Sequence, residues 1–135
     1  MVTHCCHCTW CQRETGSSYV INALIESDRL TVTQGVAQEV LTPTASGNGQ
    51  KIYRCADCRV ALWSHYAGFG DKISFVRVGT LDDAGQVVPD IHVFTSTKQP
   101  WVQIPDEHRS FDEFYKLKEQ WPDEERARLR QAMGQ

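Results

Sequence analysis

The chain has no surplus of positive charge: 14 lysines and arginines against 17 aspartates and glutamates give a formal net charge of -3. A basic footprint for nucleic acid is therefore not expected. It has no apolar run approaching the roughly 20 residues of a membrane-spanning helix. The opening residues Met1-Val2-Thr3-His4 show no basic segment leading into an apolar core of the secretory type. There is neither an internal repeat nor a low-complexity stretch. What remains is an ordinary soluble composition, 41% hydrophobic and 23% charged, in 135 residues, a length that suits one domain with its own core. Six cysteines in such a chain point to metal or catalysis rather than disulfides, and a cytoplasmic setting is expected.

Three of those cysteines fall in one run, Cys6-His7-Cys8-Thr9-Trp10-Cys11, spaced C-x-C and then C-x-x-C. In an extended segment alternate side chains share a face, so Cys6 and Cys8 point the same way, and a turn across Thr9-Trp10 brings Cys11 to join them. Three convergent thiolates suit a borderline or soft metal, tetrahedral zinc first. A fourth protein ligand would make the site structural; an open fourth position would make it chemical. Cys5 faces the other way and reads as a buried or spare thiol. His4 and His7 read as neighbours of the metal more than as its ligands. A redox C-x-x-C is the rival for the same residues.

Along the chain, Gln12 to Ser18 reads as a polar loop beside the metal. Tyr19-Ile25 suits a buried strand whose Asn22 needs a partner. Leu30-Thr33 alternates as a half-buried strand, and Glu39-Thr42 as a short one. Lys51-Arg54, a C-x-x-C turn from Cys55 to Cys58, and Val60-Tyr66 have the strand-turn-strand layout of a zinc knuckle. Ile73-Val78 and Ile91-Thr95 are further strands. Ser110-Phe111-Asp112-Glu113 fits a capping box, with Phe111, Phe114, Tyr115 and Leu117 at helical spacing, so a helix is expected there. A second short helix starts at Pro122, with Glu124 and Arg128 placed for an ion pair, as a solvated tail. Trp63 and Trp101 read as core. The architecture expected is mainly β, six to eight short strands with helices confined to the end.

Taken together, these residues resemble the glutathione-dependent formaldehyde-activating enzyme (GFA) family. The resemblance rests on Cys6-x-Cys8-x-x-Cys11-Gln12-Arg13-x-Thr15-Gly16-Ser17, on Cys55-x-x-Cys58 followed by Ala61-Leu62, on Val78-Gly79-Thr80-Leu81-Asp82-Asp83, and on His92 followed by Trp101. It implies a β-tent fold of short antiparallel sheets over residues 1–110, with residues 111–135 as a helical extension packed on that domain or trailing from it. It implies catalytic zinc on Cys6, Cys8 and Cys11, and a structural zinc involving Cys55 and Cys58. The implied activity is that of a carbon–sulfur lyase on a glutathione–aldehyde adduct such as S-(hydroxymethyl)glutathione. Beside it, Thr15, Gly16 and Ser17 read either as hydroxyl and backbone N–H donors to the bound thiol compound or as a polar loop that caps a strand. His92 reads either as a substrate-side aid to proton transfer or as a hydrogen-bonded structural histidine.

Three thiolates on a dication leave a net charge of about -1, which disfavours hydroxide generation yet still admits an incoming thiol. The family's structural zinc also uses a C-x-C pair on an earlier strand, and this chain starts after that position. Cys55 and Cys58 are therefore expected to hold metal weakly or not at all. Arg59 stands where the family's knuckle has glycine. The alternative function is a non-enzymatic zinc module whose two cysteine groups merge into one closed four-cysteine site. A thiol redox protein is a third.

Overall fold

Short runs rich in β-branched and aromatic residues form most of eight strands, and hydrogen bonding joins the eight into one sheet in the computed structural model, which describes residues 1–135. The strands are β1 (Thr3–Cys6), β2 (Val20–Glu26), β3 (Ala37–Thr42), β4 (Gln50–Cys55), β5 (Ala61–Tyr66), β6 (Ile73–Arg77), β7 (Ile91–Val93) and β8 (Arg109–Ser110). Their order is β3-β4-β5-β6-β2-β1-β7-β8. Pairing is antiparallel except for β1 with β7 and β7 with β8. Three helices accompany the sheet: α1 (Thr9–Thr15), α2 (Leu117–Gln120) and α3 (Asp123–Ala132). This is the mainly β, GFA-like architecture, with short helices at its end.

Val20, Asn22 and Leu24 are the buried alternate residues of β2. Asn22 finds its partner in the Arg77 guanidinium, which donates to its side-chain oxygen. The core gathers Leu24, Ile73, Phe75, Ile91 and Val93 together with the thiols of Cys6, Cys8 and Cys11. The cysteine run is thus part of the core, and β1, between β2 and β7, leads into it.

Three expectations fail for physical reasons. Leu30-Thr33 forms no strand: both edges of β2, the strand it follows, are taken by β1 and β6, and the segment leaves Val32 exposed. The polar stretch after Cys11 is not a loop throughout, because Thr9–Thr15 winds into α1. No helix begins at Ser110. There the backbone keeps company with β7: Phe111 N–H donates to His92 O (3.0 Å), and Phe94 N–H to Glu113 O (3.1 Å). A chain committed to those bonds cannot also make helical ones.

Nor is the C-terminus a solvated tail. Tyr115 and Trp121 are buried, and Leu129, Ala132 and Met133 pack against the core. Trp121 Nε1–H donates to the Tyr115 hydroxyl, which also meets His4 Nε2, each at 2.5 Å. Arg128 grips Glu26 of β2 at 2.7 and 2.8 Å and pairs with Glu125, not Glu124. Trp101 is 71% exposed rather than core, while Trp63 is half-buried and stacks on Tyr53 at 4.9 Å.

Candidate metal centre

β1 ends at Cys6, and the chain stays extended through Cys8 before turning into α1. Cys8 is the N-cap of that helix (φ -67°, ψ 153°), and its sulfur accepts the Cys11 backbone N–H at 3.3 Å. The cap fixes Cys8 and Cys11 one turn apart on the same side, where Cys6 reaches them from the strand. The sulfurs of Cys6, Cys8 and Cys11 all lie within 4.8 Å of one another, and all three residues are buried. Thiolates on a tetrahedral zinc stand about 3.8 Å apart for Zn–S bonds of about 2.3 Å, so the cluster suits the ion. Protons are already unevenly shared among them. Hydrogen bonds from Cys11 and Cys6 bring the Cys8 thiol down to about 3. Cys11, donating to both neighbours, is pushed up. Cys6 accepts from Cys11, yet its donation to Cys8 and its burial lift it to about 12. Of the three, Cys8 is the one whose surroundings favour the thiolate.

These three sulfurs line a cavity of about 300 Å³ whose walls include Trp10, Tyr66, Phe69, Phe75, Phe94 and Phe114. His4 and Asn22 add polar groups, and no lysine, arginine or carboxylate lines it. Burial holds His4 down to about 4, with Arg109 adding to the effect. At one wall the Arg13 guanidinium lies 5.1 Å from the Trp10 ring centre, a cation–π contact on the helix that bears Cys11.

The other residues read from sequence lie elsewhere. Thr15 donates to Cys11 O (2.8 Å), Gly16 caps α1 in the left-handed region (φ 67°), and Ser17 N–H donates to Thr15 Oγ1 (3.3 Å). All three are exposed, and none lines the cavity. His92 also stays outside it, in a file of imidazoles described below. Cys55 and Cys58 form their own turn, with Cys58 exposed, and no third cysteine, histidine or carboxylate joins them. The two cysteine groups are not brought into one closed site.

One feature escaped the sequence reading. The Glu14 carboxylate on α1, 2% exposed, takes Arg54 Nη2 at 2.8 Å and Arg77 Nη2 at 3.3 Å. Arg77 in turn donates to Ser64 (3.2 Å) and to Asn22, a cavity residue. The available signal was Arg77 itself, because an arginine inside an otherwise apolar strand requires a buried anion. A second tether runs from Gln12, whose side-chain N–H groups reach His7 O (2.8 Å) and Thr97 O (2.9 Å).

Comparison with curated proteins gives no match. The family model described as glutathione-dependent formaldehyde-activating enzyme matches residues 1–97, which include β1 to β7, all six cysteines and the whole of α1, and the chain belongs to that family.

Proposed function

We propose that this protein is a zinc-dependent carbon–sulfur lyase acting on adducts of a small thiol, glutathione first, with a small aldehyde such as formaldehyde. In the cleavage direction the adduct's C–S bond breaks, its hydroxyl oxygen becomes the carbonyl and releases a proton, and sulfur leaves as thiolate. Condensation joins the same atoms in reverse. Cys6, Cys8 and Cys11 would hold the zinc. When bound, zinc on three thiolates lowers the pKa of an approaching thiol without favouring hydroxide. The residues of the chain do the rest. Cys8, capping α1, and its two partners keep the donors converged. The aromatic walls exclude water, which protects an adduct that would otherwise exchange with solvent. With uncharged walls, the carboxylates of glutathione stay at the mouth, where Arg13 against Trp10 offers a cation. The six free thiols suit a reducing cytoplasm.

The observation that carries this reading is the set of three buried sulfurs within 4.8 Å of one another on the wall of a roughly 300 Å³ cavity. Calorimetric titration of the zinc-loaded protein with glutathione, in buffers of different ionisation enthalpy, tests it. Reduced glutathione should bind with release of a proton, and the disulfide form should bind at least tenfold more weakly. The Cys8→Ser variant should lose both the proton release and one zinc per chain. Serine is itself a good N-cap, so α1 survives the exchange and the loss is the thiolate's. Equal binding of the two forms, without proton release, would end the lyase reading.

A further inference from the structure

Period-two alternation gives the β1 segment a second face. Cys6 and Cys8 look toward the cavity, and Cys5 and His7 look the other way. The parallel pairing of β1 with β7 sets Cys5 directly beside His92, and His7 N–H continues the ladder to Val93 O at 3.0 Å. As a result, Cys5 Sγ lies 3.5 Å from His7 Nε2, and His7 Nε2 lies 3.0 Å from His92 Nδ1. The three residues are 2%, 0% and 6% exposed. Their donor atoms fall within 4.8 Å of one another.

Hydrogen bonding alone does not satisfy this cluster. If His7 Nε2 carries the proton, it can donate to His92 Nδ1, but the Cys5 thiol then has no acceptor there. Without that proton, one lone pair must serve both the thiol and His92 Nδ1–H. In either tautomer His7 Nδ1 is buried with no partner. A cation taking one lone pair from Cys5, from His7 Nε2 and from His92 Nδ1 removes the competition for His7 Nε2, and puts the ring proton of His7 on Nδ1, which has no partner with or without the cation. The spacing agrees. On a tetrahedral zinc, a thiolate and an imidazole stand about 3.5 Å apart, and two imidazoles about 3.3 Å. His92 also has the outer partner that ligating histidines use: its Nε2 meets His108 Nδ1 at 3.1 Å, which fixes Nδ1 toward the cluster.

We infer that Cys5, His7 and His92 form a second zinc site, with one thiolate and two imidazole ligands, on the opposite face of the β1 segment from Cys6 and Cys8. The strand thus carries two donor sets back to back, and His92 is a ligand that ties β7 to β1. The site stands independently of the lyase reading, because it shares no donor with the cavity cluster.

Zinc-edge X-ray absorption on the full, zinc-equilibrated wild-type chain tests it, because every other cysteine group described here offers sulfur alone. Back-scattering from imidazole is expected, and a sulfur-only shell would overturn the proposal. Cys5→Ser and His92→Gln should each lower bound zinc by one equivalent per chain, read by elemental analysis, and weaken the imidazole signal. Unchanged zinc in both variants would likewise overturn it. A variant that fails to fold leaves the wild-type spectrum to decide. Neither readout involves glutathione, so failure here and failure of the lyase assignment are separate results.

Discussion

Arg59, in the turn that joins β4 to β5, holds a left-handed backbone at φ 65°. That conformation costs a residue with a Cβ about 1–2 kcal/mol, and glycine almost nothing. The exposed side chain recovers part of the cost through its bond to Gln38, while the Arg59 carbonyl accepts from Arg54 at 3.1 Å. Arg59→Gly should therefore stabilise the protein by about 0.5–1 kcal/mol, after subtracting the greater entropy glycine loses on folding. Urea unfolding would show this as a higher midpoint at constant slope, and a lower midpoint would show that the Gln38 bond outweighs the strain. Single positions of this kind were legible in the sequence, as were the converging cysteines, because four-residue spacings fix local geometry whatever surrounds them. The conflict at His7 was not legible, since it exists only once strand pairing brings His92 across from Cys5.

Helix α1 is where local pattern and tertiary context part. Seven residues are too few to display a periodic apolar face, so Gln12 to Ser18 looked like loop. What makes Thr9–Thr15 helical is the Cys8 cap, the left-handed Gly16 and the Glu14 clamp, and only the first two lie nearby in sequence. The segment from Ser110 errs in the opposite direction. It has helical spacing, but its backbone groups are claimed by β7. Ile73–Arg77 is readable because a short, largely apolar run between turn signals suits a buried strand, and all of it but Val76 is buried, whereas Leu30-Thr33 alternates beside a β2 whose two edges are already taken. The clamp gives α1 a measurable dependence. Glu14→Gln keeps the shape and removes the charge that balances Arg77, whose side chain is 6% exposed. Stranding a buried guanidinium costs about 3 kcal/mol or more. Chemical unfolding should show a loss of that order. A loss below about 0.5 kcal/mol would mean that Asn22 and Ser64 satisfy Arg77 unaided.

At the scale of the whole molecule, the C-terminal segment closes over the sheet that carries the metal centre. No helix here is long and apolar enough to cross a membrane, and Tyr115, Trp121, Leu129 and Met133 of this segment turn inward. Trp121, Tyr115 and His4 link it to β1, and Arg128 links it to β2. Glu26 is the titratable half of the second link. Hydrogen bonding from Arg128 holds its carboxyl at about 2, below the ordinary 4.5, with Arg29 at 3.7 Å adding a weaker pull. A carboxylate depressed in the folded state contributes stability above its unfolded pKa, because below that value the unfolded chain takes up the proton first. The contribution is therefore complete above about pH 4.5 and fades as the pH falls toward 2. For a pair that water still reaches, it amounts to roughly 1 kcal/mol. Wild type and Glu26→Gln should accordingly differ in stability by about that much at pH 6 and converge near pH 2, with α3 amides exchanging faster in the variant at the higher pH. Parallel stability curves across this range would show that burial of Trp121 and its neighbours holds the C-terminus without the ion pair.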